Sequence, residues 1–150
     1  LDITGDPRLT FHARDEYTFP MPSGLFDVVL SGQVIEHVRK TWVWIQEVAR
    51  VCKPGGYVIT VNPVSWGYHE APIDCWRIYP EGMRTLYDEA GLEVRHCAAE
   101  SLEPWSHSVP KYLRLFRKVV TGGELPASGL PPVVDTITIG RKPLHDARAA

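Results

Sequence analysis

The run from Phe26 to Pro63, FDVVLSGQVIEHVRKTWVWIQEVARVCKPGGYVITVNP, constrains the fold more than any other part of the chain. Residues 26–30 are apolar apart from Asp27, which fits a strand buried in a parallel sheet. Residues 31–37 read as a sharp polar turn. Residues 41–52 then place Trp42, Ile45, Ala49 and Cys52 on one stripe, with Trp44, Val48 and Val51 beside it. Spacings of three and four predict a helix with a wide apolar face, and Gln46, Glu47 and Arg50 fall on its other side. Lys53 suits the negative carboxyl end of that helix, and Pro54, Gly55 and Gly56 are expected to stop it. Residues 57–61, rich in β-branched side chains, read as the next strand.

The flanks extend the same pattern. Residues 1–3 read as the tail of a strand and residues 9–13 as a short strand, with a proline-broken loop, FPMPSG, at 19–24. Residues 62–79 form a long aromatic connection, and connections of that length inside a compact domain usually serve function. Residues 80–90 open on a proline, turn Met83, Leu86, Tyr87 and Ala90 inward, and stop at Gly91, as a helix does. Residues 92–98 read as a strand and 111–120 as a basic helix. Residues 133–140 read as a last strand at an edge or in an antiparallel position, and 144–150 as a frayed, disordered tail. Strands alternating with helices predict an α/β fold, a mostly parallel sheet covered on both faces. In such sheets ligands sit beyond the carboxyl ends of the strands, which gathers Asp2, Asp15, residues 31–37 and the loop from Asn62 onward on one edge.

Bulk properties narrow the function classes. At 150 residues the chain is of single-domain size. Its net charge of −2 offers no basic field for nucleic acid or an acidic membrane. No apolar run approaches the roughly 20 residues of a membrane helix. Three cysteines without a C-x-x-C pair argue against a disulfide framework and a zinc cage, and for a reducing, cytoplasmic setting.

Five pieces of the sequence, in order, resemble the class I S-adenosylmethionine-dependent methyltransferases, in particular their type 11-like domain. They are Asp2, Asp15, Phe26-Asp27-Val28-Val29, Glu36-His37-Val38 and Lys53-Pro54-Gly55-Gly56, and DTITIGRK at 135–142 resembles the family's last strand. The resemblance implies a Rossmann-like methyltransferase sheet with an antiparallel last strand, and S-adenosyl-L-methionine as cofactor. Asp2 would then meet the ribose hydroxyls and Asp15 the adenine amino group, with Glu16 as its neighbouring competitor. Ser31, Gly32 and Gln33 would border the cofactor, Gly32 by allowing close backbone approach and Gln33 by hydrogen bonding. Each has a plainer reading: Asp2, Asp15 and Glu16 as solvated acids, and residues 31–33 as a tight turn.

The stretch VSWGYHEAPIDCWRIYPEGMRTL at 64–86 resembles a subset of these methyltransferases with a dense aromatic and polar segment after the fifth strand. Trp66, His69, Asp74, Trp76, Arg77 and Tyr79 are its substrate-binding candidates. The competing reading is a structural plug, with Trp76 and Tyr79 buried and Asp74 paired to Arg77. His37 and His69 are the candidate general bases; His37 also suits a packed role beside Glu36. No metal site is expected.

The family's first strand, its G-x-G-x-G loop and its first helix have no counterpart in these residues. Residues 1–143 therefore read as a partial methyltransferase domain, a carboxyl-terminal piece of a longer protein. The alternative is a short chain that completes its sheet with a partner, such as a homodimer. The expected function is methyl transfer to a small-molecule acceptor, by preference at oxygen. The alternatives are a non-catalytic partner or scaffold subunit and, lower, a nicotinamide-dependent oxidoreductase.

Overall fold

A computed structural model describes residues 7–70, 73–100 and 134–144. In chain order these form β1 (Phe26–Gly32), a single 3-10 turn (Ile35–His37), α1 (Thr41–Val51), β2 (Cys52–Pro63), α2 (Pro80–Glu89), β3 (Glu93–Glu100) and β4 (Asp135–Arg141). The strands make one sheet in the order β1-β2-β4-β3. β1 runs parallel to β2, and β4 runs antiparallel to both β2 and β3. The mixed α/β sheet with an antiparallel last strand is therefore the one expected. β4 is an interior strand, and the edge position is taken by others. Its Thr136 and Thr138 are fully buried, since one face of the strand lies under the helices and its neighbours fill both sides.

The core lies between one sheet face and the two helices. Ile45 and Val48 of α1, Met83 and Tyr87 of α2, and Val58 of β2 are all 1% exposed or less. Removing a side chain of this kind from water contributes about 1.5–3 kcal/mol. The Tyr87 hydroxyl is carried into this apolar layer because Thr60 Oγ1 and the Thr138 carbonyl accept from it at 3.1 and 3.3 Å. Its ring lies over Gly140, where an added Cβ would sit 2.5 Å from Cδ1. Glycine is required there by space.

Several local expectations are corrected. Trp42 lies outside the buried stripe of α1 at 53% exposure, and Trp44 at 4% takes its place. The inner face is Thr41, Trp44, Ile45, Val48 and Ala49, the line of three- and four-residue steps that meets the sheet. Lys-Pro-Gly-Gly opens β2 and does not form a separate turn. Lys53 pairs with Asp27 across to β1, Nζ to the carboxylate oxygens at 2.8 and 2.9 Å. Gly56 is fixed by that close approach, since a Cβ there would come within 2.7 Å of the Asp27 carbonyl. Residues 9–13 form no strand, only an isolated bridge at His12. The expected elements at 1–3, 111–120 and 145–150 lie outside the described residues.

β1 is not buried on both faces. Val28 and Leu30 are 54% and 70% exposed, because both described helices lie on the opposite face and no described element pairs with the free edge of β1. Arg50, on the polar side of α1, holds the 19–24 loop. Its guanidinium donates to the carbonyls of Met21 and Phe19 at 2.9 and 3.1 Å while paired with Glu47.

Candidate functional site

β1 ends at Gly32, and the chain turns sharply at Gln33, the one described non-glycine residue with a positive φ, 53°. That conformation costs an L-residue roughly 1–3 kcal/mol. It is held by the Gln33 N–H, which donates to Val61 O at 2.8 Å, and by the side-chain amide, which donates to Asp135 Oδ1 at 3.1 Å. The strain lies at Gln33, whereas the sequence placed the backbone demand at Gly32. Gly32 keeps a different property: a Cβ there would meet nothing within 4 Å, so the strand end faces open space.

The turn delivers Glu36 and His37 into an open cavity of about 280 Å³ beside the carboxyl ends of β1 and β2. Gln33, Glu36, His37, Pro63, Trp66, His69 and Asp135 line it. The arrangement brings together Gln33, His37, Trp66 and His69, four residues singled out from the sequence. Glu36, Pro63 and Asp135 were not singled out as site residues. Glu36 was visible as half of the Glu-His pair, but nothing in the sequence marks it as 1% exposed. Asp135 arrives through the pairing of β4 with β2 at Pro63, which no local pattern predicts.

Both histidines are oriented by backbone. His37 Nδ1 donates to the carbonyl of Ile73, and His69 Nδ1 lies 3.1 Å from that of Gly67. A carbonyl only accepts, so Nδ1 carries a proton in each ring and Nε2 is left as the atom that can bind a proton or a metal. Burial pushes the Glu36 carboxyl above its usual range. Neither of its oxygens has a hydrogen-bond partner, and the nearest cationic candidate, His37 Nε2, is 3.7 Å away.

The loop after β2 divides between site and support. Asp74, with a side chain 2% exposed, receives a bidentate pair from Arg77 and the His69 N–H at 2.8 Å. The Arg77 guanidinium holds the carboxyl down to about 2 and also donates to the carbonyls of Trp66 and Gly67 at 3.0 Å. Asp74 and Arg77 therefore shape the loop that presents Trp66 and His69. Trp76 donates its indole N–H to Val38 O at 2.8 Å, and Tyr79 is 63% exposed. Neither Trp76 nor Tyr79 lines the cavity or joins the core, which corrects the buried-plug picture for both. Asp15 is exposed and accepts from the Tyr17 N–H at 2.7 Å, Glu16 lies 3.4 Å from Arg39, and Asp2 is outside the described residues.

The carboxyl end of a parallel strand pair is where open α/β domains characteristically bind ligands. Residues 3–60 match the family model of a methyltransferase domain. Over 135 residues the chain is 28% identical to the 2-methyl-6-phytyl-1,4-hydroquinone methyltransferase of Synechocystis sp., covering 90% of this chain and 40% of that protein. Its fold matches the [4+2]-cyclase SpnF with a TM-score of 0.57 at 22% identity, over 87% of this chain and 54% of the other. It also matches the 1,6-didemethyltoxoflavin-N1-methyltransferase of Burkholderia thailandensis, solved with S-adenosylhomocysteine bound. There the TM-score is 0.53 at 13% identity, over 82% of this chain and 46% of the other. The chain resembles the class I methyltransferases in fold and over residues 3–60, and it spans well under two thirds of each of these relatives.

Proposed function

We propose that the protein containing this chain transfers a methyl group from S-adenosylmethionine to a small-molecule acceptor, by preference at a hydroxyl oxygen. The observation that carries this reading is the pair of imidazoles, His37 and His69, both lining one cavity beside the end of β1 with their Nδ1 atoms turned to backbone carbonyls. The likeness to a hydroquinone methyltransferase supports a hydroxyl-bearing acceptor. A cyclase shares the fold, so the sheet alone does not fix the reaction and the cavity residues carry the reading.

The end of β1 leaves room for the cofactor, since nothing stands within 4 Å of where a Cβ at Gly32 would be. S-adenosylmethionine supplies a methyl group already activated on a sulfonium. What remains for this chain is to bind, align and keep water out. Gln33, its amide N–H₂ engaged by Asp135, keeps its carbonyl oxygen to accept from a hydroxyl or ammonium group. Trp66 forms the outer wall. One of the two imidazoles takes the acceptor's proton at Nε2 as its oxygen attacks. Asp74 and Arg77 act from behind, by holding the loop. We place the protein in the cytoplasm, a reading supported by the free thiols of Cys52, Cys75 and Cys97.

The test is calorimetric titration of S-adenosylmethionine and S-adenosylhomocysteine into the protein, then methyl transfer from labelled donor to hydroquinones and phenols. Saturable binding of both and label on the acceptor oxygen are expected. Failure to bind either cofactor form would remove the reading.

A further inference from the structure

Glu36 poses a problem that methyl transfer alone does not answer. Its side chain is 1% exposed, and both carboxyl oxygens lack a hydrogen-bond partner. An ionised carboxylate in that position needs a cation or donors. A protonated one would need an acceptor for its O–H, and none is in reach either. The two imidazoles beside it supply what the carboxylate lacks. One ligand atom each from Glu36, His37 and His69 lies within 4.8 Å of the other two.

We propose that Glu36, His37 and His69 bind one divalent first-row cation of the zinc type, with a coordination position open to the cavity. Two imidazoles and a carboxylate are a donor set that suits such ions, and three protein ligands leave a fourth position for a small molecule. Metal-bound histidines characteristically give their second N–H to a carbonyl or carboxylate. Both rings do so: His37 to Ile73 O, and His69 to Gly67 O with Asp74 Oδ2 3.4 Å away. Asp74 is in turn fixed by Arg77, so the backing of His69 extends to a third layer. The proposed site uses no cysteine, the residue type by which a zinc site is most readily read from sequence.

The site also specifies the acceptor, and that part rests on the proposed methyl transfer. A dication balanced by one carboxylate keeps a net positive charge. It favours an acceptor that binds through an oxygen anion, a phenolate or enolate, and it eases loss of that proton to solvent. With the metal in place the imidazole lone pairs hold the ion and the acceptor's proton leaves to solvent; in the metal-free protein one ring takes that proton, as proposed above.

Metal binding has a readout that does not depend on turnover. The purified protein is stripped with a chelator and titrated with Co²⁺, read by visible absorption, with Zn²⁺ as competitor. One Co²⁺ per chain, displaced by Zn²⁺, is expected. Glu36→Gln and His69→Gln should each weaken binding by about tenfold or more. His96→Gln, which alters a ring paired with Glu100 on β3 at 3.2 Å, should leave it unchanged. If Glu36→Gln does not fold, His69→Gln, with its partly exposed ring, decides alone. No Co²⁺ binding, or binding that His69→Gln leaves intact, overturns the site. A protein that binds Co²⁺ through these residues but transfers no methyl group keeps the site and loses the acceptor assignment.

Discussion

His37 and His69 meet edge to face, with ring centroids 5.0 Å apart and planes at 89°. One comes from the turn after β1 and the other from the loop after β2, so the contact ties the two halves of the cavity together. Replacing either ring should impair handling of the acceptor and spare the cofactor. Whichever of His37→Gln and His69→Gln removes the base is expected to lower kcat by about 10²–10⁴-fold, and the other variant by less. Calorimetry should find S-adenosylmethionine affinity largely retained. A parallel collapse of affinity would instead mean that the rings hold the strand end in shape.

The Asp74–Arg77 pair predicts an acid-sensitive loop. The carboxyl is held down to about 2, so its folded value lies below its unfolded one. Its contribution is complete above the ordinary carboxylate range and is lost as pH falls from about 4 towards 2. Arg77→Gln should cost about 1–3 kcal/mol at pH 7, by leaving a desolvated carboxylate short of donors. Urea unfolding of both forms should show the gap at pH 7 and its disappearance near the bottom of that window. A gap independent of pH would assign the loss to packing.

Glu36 carries the opposite sign. Burial raises its folded value, so the ionised form is a penalty that grows as pH rises above the ordinary carboxylate range. In chelator-treated protein, Glu36→Gln is therefore expected to stabilise the fold by about 1–3 kcal/mol at pH 8 and by little at pH 4. Thermal melts at the two pH values check this. Destabilisation at pH 8 would reveal a cation or donor satisfying the carboxylate.

Gly140 and Tyr87 predict a steric effect without electrostatics. A methyl group at Gly140 would stand 2.5 and 2.6 Å from ring carbons of a side chain that is wholly buried. Gly140→Ala should cost about 1–3 kcal/mol through overpacking. Tyr87→Phe should cost about 0.5–1.5 kcal/mol through its lost hydrogen bonds. Denaturant midpoints of the two variants measure both, and equal wild-type midpoints would show the layer to be looser than drawn.

Much of the fold was legible because its signals are local. Apolar runs placed β1 and β2, Pro80 and Gly91 bracketed α2, and spacing of three and four placed α1. What escaped was decided by tertiary contact. Trp42 and Trp44 satisfy helical periodicity equally well, and only the position of the sheet chooses Trp44. Residues 9–13 have strand-like composition, but a strand needs a neighbour to pair with. In the site, the Glu-His pair, Gln33 and His69 stood out by residue type. The pairing of Asp74 with Arg77, three residues apart, was legible as one of two readings, whereas the burial of Glu36 and the arrival of Asp135 depend on chain segments far apart in sequence, which no window of residues reports.

The placement of β4 between β2 and β3 has a kinetic consequence. β1, α1 and β2 can assemble from adjacent sequence, whereas β4 must return from more than seventy residues beyond β2 to fill the gap. Contacts of such long range form late, since their loop closure is unfavourable until many of them are made together. Asp135, which fixes Gln33, rides on the first residue of that strand. The cavity is therefore among the last features to be completed, and ligand binding reports that the chain has finished folding.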